Sequence, residues 1–133
     1  MDSSIAFFSQ TEAVHKDSLS LALVGDAVWT LYVRTRLIKK HDCKSGLLSL
    51  KCVNYVSAKA QCKMLYAIED KLTEIESDVV RRARNSRTGQ RAKNASLEEY
   101  KKASALEALI GFLYLTGQAA RLEEIQDICF NAD

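Results

Sequence analysis

Ser18-Leu19-Ser20-Leu21-Ala22-Leu23-Val24-Gly25-Asp26-Ala27-Val28-Trp29-Thr30-Leu31-Tyr32-Val33 is apolar for most of its length, and Asp26 carries its only formal charge. Residues three, four and seven apart share one face of a helix. As a helix, the stretch puts Asp26 in a stripe with Leu19, Ala22, Leu23, Trp29, Thr30 and Val33. This is the face a helix normally buries. A carboxylate there must be paired, hydrogen-bonded or bound to a metal, because a bare charge held away from water is too costly to keep.

Working outward, the helix is expected from about Leu19 to Lys39, with Ser18 as its N-cap. Arg34, Arg36, Lys39 and Lys40 suit the negative end of its dipole. Gly25 inside it costs about 1 kcal/mol against alanine. A glycine beside the odd acid points to a second backbone passing close by, or to a simple packing contact. The stretch Ala103 to Thr116 repeats the pattern, with Glu107 as its single charge and Ala103, Ser104, Ile110, Gly111 and Tyr114 as helical neighbours. Two such acids would repel if they met bare, and a shared divalent cation reverses the sign of that interaction. The alternative is that each acid pairs with a buried arginine or a backbone donor in a different place.

With 133 residues, 47% hydrophobic and 27% charged, the chain reads as one globular domain over 1–133, with its core at about 18–130. There is no proline and there are five glycines. Together with long segments of 3.6-residue period, this predicts an all-α domain with short connections. No apolar run approaches the roughly 20 residues of a membrane span. Asp2 and Ser3 stand where a secretion signal would carry basic residues, so a cytoplasmic protein is expected. Cys43, Cys52, Cys62 and Cys129 form no Cys-x-x-Cys pair, and only His15 and His41 could assist them. That spacing argues against zinc and for reduced thiols, with Cys62 and Cys129 acting as small apolar residues. The absence of Glu-x-x-His argues against a di-iron bundle.

Residues 3 to 9 read as a short amphipathic turn or helix and His15 to Asp17 as a connection. Leu47, Leu48, Leu50, Val53 and Val56 suffice for one or two helical turns before a cap at Asn54 or Ser57. A clearer helix is predicted from Ala58 to Leu72, with Ala58, Cys62, Leu65, Tyr66 and Ile68 to Leu72 as its apolar stripe. Thr73 and Glu76 form a capping box that opens a further helix to about Arg84, turning Ile75, Val79, Val80 and Ala83 inward.

Composition shifts between Arg81 and Lys102. Eight basic residues (Arg81, Arg82, Arg84, Arg87, Arg91, Lys93, Lys101 and Lys102) face only Glu98 and Glu99, a local +6 inside a chain of net +2. Its centre, Asn85 to Ala95, holds Gly89 and no apolar residue larger than alanine, and reads as a mobile basic loop. Ser96, with Glu99 three residues on, then caps the Glu107 helix. A solvated charge run is the plain reading. The run leads straight into that helix, however, so a polyanion held by the loop would lie near the carboxylates. Phosphodiester hydrolysis requires this pairing: cations activate water and stabilise the leaving oxygen, and arginine and lysine hold the backbone.

Leu23-Val24-Gly25-Asp26-Ala27-Val28 resembles the Leu-Gly-Asp-Ala signature helix of ribonuclease III, and Leu106-Glu107-Ala108-Leu109-Ile110-Gly111 resembles its Glu-Ala-Leu-Ile-Gly helix. Val56-Ser57-Ala58-Lys59-Ala60-Gln61 and Arg82-Ala83-Arg84-Asn85, through Gly89 to Lys93-Asn94, resemble the Mini-III ribonucleases, the short branch without a double-stranded RNA-binding domain. The resemblance runs over about residues 18 to 125, and four motifs in order make it specific.

It implies an all-helical, ribonuclease III-type endonuclease domain acting as a homodimer on double-stranded RNA. Mg2+ is the implied cofactor, with Mn2+ as a substitute, and trimming of ribosomal RNA precursors the implied role. Asp26 and Glu107 stand at the family's indispensable metal-binding positions. Where full-length ribonuclease III has two further acids, this chain has Ala22 and Ser104, as Mini-III enzymes do. Water is expected to complete the coordination, steadied by Ser104. Arg82, Arg84, Asn85, Arg87, Arg91, Lys93 and Asn94 are the expected duplex contacts, reading shape and phosphates because the A-form major groove is too narrow for side chains. Ala92 replaces a common family proline, which would loosen that loop. The apolar excess of the Asp26 helix, Trp29 and Tyr32 included, is read as support for dimerisation. Two other functions stay open on the residues: a catalytically silent RNA-binding relative, and a helical module whose basic loop docks an acidic protein.

Overall fold

The computed structural model describes residues 5–86 and 96–132, and among them every regular element is helical. The helices are α1 (Gln10–Val14), α2 (Ser18–Lys40), α3 (Ser45–Val56), α4 (Ala58–Ile68), α5 (Glu74–Asn85), α6 (Leu97–Leu115) and α7 (Ala119–Phe130), with a 3-10 turn over Glu69–Lys71. None is long and apolar enough to cross a membrane.

α6 is the axis of the molecule. Its residues from Lys102 to Leu113 are buried except Glu107, which is half-buried. A helix this apolar on all sides has to be enclosed. α2 lies along it in the most extensive contact of the structure, and α4 and α5 cover its other sides. The approach of α2 is set by two glycines. A Cβ on Gly25 would stand 1.7 Å from the Glu107 carbonyl oxygen, and one on Gly111 would stand 2.0 Å from that of Leu21. The two main chains touch where the sequence put a glycine beside an acid.

Local signals fix the ends. The capping boxes Thr73/Glu76 and Ser96/Glu99 open α5 and α6 as expected. Past α6, Gly117 has φ 69°, and the N–H groups of Gly117 and Gln118 return to the carbonyls of Tyr114 and Leu113. Only a residue without a Cβ takes that conformation easily. Glu76 also ties α5 to α7. Burial alone would raise its pKa, but two hydrogen bonds from Arg121, at 2.9 and 2.8 Å, and the Thr73 N–H hold the carboxyl below its ordinary value.

Several expected boundaries move. Asp17, not Ser18, caps α2, accepting from the Ser20 N–H at 3.1 Å, because its longer, charged side chain reaches the first turn from one residue earlier. Of the stretch 3 to 9, residues 5 to 8 are not helical. Ser9 instead caps α1, and the N–H groups of Phe7 and Phe8 bond to the Leu115 carbonyl at 2.8 and 3.1 Å. α3 runs to 12 residues, and Ser57 ends it and caps α4. α4 stops at Ile68, where the chain tightens into the 3-10 turn, and Tyr66 is exposed rather than buried. All four cysteines are free thiols, with Cys62 and Cys129 buried.

Candidate active site

The glycine contact decides where the acids go. With Gly25 pressed on the main chain of Glu107, Asp26 is carried alongside the Glu107 side chain, and the two carboxyls are in hydrogen-bonding contact. The two odd charges thus share one place. Burial, then the Asp26 carboxyl, push Glu107 up from 4.5 to about 8, and a hydrogen bond from Gln61 opposes the rise. Among the described residues, the side chains acting on Glu107 include no cation. The expected buried position of Asp26 is corrected. It is exposed, and the buried stripe of α2 is Leu21, Ala22, Gly25, Trp29, Val33 and Leu37. The helix turns its smallest residue to α6, which leaves the acid at the rim, open to water and ligands.

Ser104, one turn before Glu107 on α6, is buried. Among the described residues no three His, Cys, Asp or Glu side chains form a cluster. Two carboxyls are therefore what this place offers a cation. That set fits magnesium, which commonly keeps several waters and takes one or two protein carboxylates. Positive charge beside the pair would also oppose both the burial and the Asp26 carboxyl that push Glu107 up.

Gln61 is the functional candidate that the sequence reading passed over. It is 2% exposed on α4, and its Nε2 donates to Glu107 Oε2 at 3.5 Å. It closes the Val56 to Gln61 motif, and its place on the apolar side of α4, beside Cys62 and Leu65, was the available signal.

The basic stretch divides. Arg84 lies 4.0 Å from Glu69 and 3.8 Å from Glu98, and Arg82 Nε donates to Asp78 at 3.0 Å. Both expected duplex contacts thus have acidic neighbours within the chain. Asn85 is exposed at the end of α5. Arg87, Arg91, Lys93 and Asn94 lie outside the described residues. Lys102 is buried, against the Tyr66 hydroxyl and ring and 3.4 Å from Glu98, so it belongs to the packing of α4 and α6.

On the outer side of α2 a groove of about 650 Å³ is lined by Leu23, Val28, Leu31, Tyr114, Leu122 and Gln126. Leu23 and Leu31 are 74% and 61% exposed, and the buried Gln126 has no partner for its Nε2 among the described residues. Of the two aromatic residues expected in this surplus, Tyr32 helps to line the groove and Trp29 does not. Trp29 is wholly buried, donating to the Tyr55 carbonyl at 2.8 Å, and Tyr32 stacks on it at 5.4 Å.

The sequence profile of the Ribonuclease III domain matches residues 19–118, a span holding both α2 and α6. The chain belongs to the ribonuclease III family. Within it, the chain is 37% identical to the Mini-ribonuclease 3 of Thermoanaerobacter sp., covering 95% of this chain and 93% of that protein. To the Mini-ribonuclease 3 of Brevibacillus brevis it is 45% identical, covering 84% of each. An X-ray structure of a Fusobacterium nucleatum protein, 31% identical, superposes with a TM-score of 0.78 over 87% of this chain and 93% of that one. Our chain is thus a ribonuclease III-type endonuclease of the Mini-ribonuclease 3 branch, on the all-α fold that its motifs implied.

Proposed function

We propose that this ribonuclease III-type endonuclease cuts double-stranded RNA with Mg2+, or Mn2+ in its place, and trims ribosomal RNA precursors in the cytoplasm. The observation that carries the reading is the meeting of Asp26 and Glu107 at the glycine contact of α2 and α6, with no cation among the described residues acting on Glu107. In this reading both carboxylates hold the metal, and Ser104 acts through water. A bound ion supplies charge neutralisation and water activation for phosphodiester hydrolysis.

The chain's own residues do the positioning. Main-chain contact fixes the two acids relative to each other, and the exposed Asp26 opens the site to the duplex. Asn85 and the loop residues Arg87, Arg91, Lys93 and Asn94 hold phosphates and read A-form shape, while Arg82 and Arg84 exchange acidic neighbours for phosphate. A second copy of the chain covers the groove along α2, as a homodimer whose two sites cut both strands. The apolar exposure of Leu23 and Leu31 and the unpartnered Gln126 amide support that face.

The test is incubation of the purified protein with a long RNA duplex, with and without Mg2+, beside Asp26→Asn and Glu107→Gln. Fragmentation that needs the ion, spares single strands and vanishes in both variants is expected. Duplex binding without cleavage in all three proteins would overturn the catalytic reading and leave an RNA-binding protein.

A further inference from the structure

We infer that Gln61 is a positioning residue for the Glu107 carboxylate, orienting it for the cation; this rests on the reading of Asp26 and Glu107 as metal ligands. Gln61 is 2% exposed in the first turn of α4, and its amide reaches Oε2 of Glu107 at 3.5 Å. Burying a primary amide among apolar neighbours is unfavourable unless it finds a hydrogen bond, and Cys62, Met64 and Leu65 are all buried beside it. A structure needing only packing at this place would be served by an apolar side chain.

The amide suits its task by charge. Lysine or arginine at position 61 would pair with Glu107 and compete with the metal for it, and an apolar side chain would leave the carboxylate free to turn. A neutral donor engages one oxygen and sets the direction of the other. The α4 turn that carries it is itself held: Ser57 Oγ accepts from the Ala60 N–H at 3.2 Å, and the Gln61 N–H donates to the Ser57 carbonyl at 3.0 Å. Partners that orient a metal ligand typically change affinity or activity by about 10- to 100-fold when removed.

The experiment measures Mn2+ binding to the full chain by electron paramagnetic resonance and calorimetry, for the wild type, Gln61→Met, Gln61→Glu, Asp26→Asn and Glu107→Gln. Gln61→Met keeps the length and removes the donor. It is expected to bind Mn2+ about tenfold more weakly, with kcat falling similarly, KM for the duplex unchanged and the circular dichroism of the wild type. Gln61→Glu brings a third acid to the pair and is expected to bind Mn2+ at least twofold more tightly.

A merely structural glutamine would lower the melting temperature and leave the affinity of the folded protein alone. Affinities within twofold of the wild type for the folded variants overturn the inference, and Gln61→Glu decides it alone if Gln61→Met fails to fold. In that case Asp26→Asn and Glu107→Gln still lose Mn2+, so the carboxylate site survives. Should those two bind Mn2+ like the wild type, or the wild type not bind it, the site falls and Gln61 with it.

Discussion

Glu107 carries a conflict that stability should report. A carboxyl that keeps its proton up to about 8 when folded, against an ordinary 4.5, makes folding take up a proton between those values. The unfolded chain then binds fewer protons than the folded one, so stability is highest at the acid end of that window and declines as pH rises through it. In cation-free buffer the wild-type melting temperature should fall across this range by several degrees more than that of Glu107→Gln. Added Mg2+ should raise the wild type and leave the variant unmoved. A wild-type slope no steeper than the variant's would contradict this account. At this scale the two acids were legible because each is a lone charge in an apolar run. The exposure of Asp26 was not, since adjacent helix positions differ by only about 100° of rotation and Gly25 competes for the same stripe. Gln61 was hidden for another reason: an amide on the apolar side of α4 has no formal charge to single it out.

Between elements, the crossing of α2 and α6 depends on the absence of two methyl groups. Gly25→Ala drives a Cβ to 1.7 Å from a carbonyl oxygen, and backbone cannot yield as a flexible side chain can. Overpacking of this kind commonly costs about 1–3 kcal/mol and sometimes more, and here the upper end or beyond is expected in urea unfolding, with loss of duplex cleavage. Gly46 provides the contrast. It lies in the first turn of α3 with nothing within 4 Å of a Cβ, so Gly46→Ala should stabilise by about 0.5 kcal/mol or more. Equal effects of the two changes would contradict the contact. Thr73/Glu76 and Ser96/Glu99 were legible because a capping box is local chemistry. Asp17 was missed because it stands next to Ser18, an equally acceptable cap, and the length of α3 because its exposed Leu47, Leu50 and Val53 blur the amphipathic pattern. The glycine beside the acid did announce a close neighbour, and only the structure names it as the main chain of Glu107.

Over the whole molecule, part of the exposed apolar surface lies along the groove of α2. Leu23→Glu puts a charge on its 74% exposed side chain, away from the core, so folding should survive it. Sedimentation should show a dimer becoming a monomer, with cutting of paired strands impaired; an unchanged mass would dismiss that face as the interface. The all-α class was legible from period and the lack of proline. The identity of the surplus was not, because periodicity alone cannot say that Trp29 turns toward α3 while Leu23 turns outward. The α2 and α6 contact also governs when the molecule comes into being. The helices are separated by the whole of α3, α4 and α5, and a chain leaves the ribosome from its N-terminus, at about 5–20 residues per second. For several seconds α2 is therefore outside without the helix it must lie against. A half-made chain carries one of the two acids and bare apolar surface, and on the proposed reading of the site the capacity to cut RNA arrives only when synthesis has passed α6.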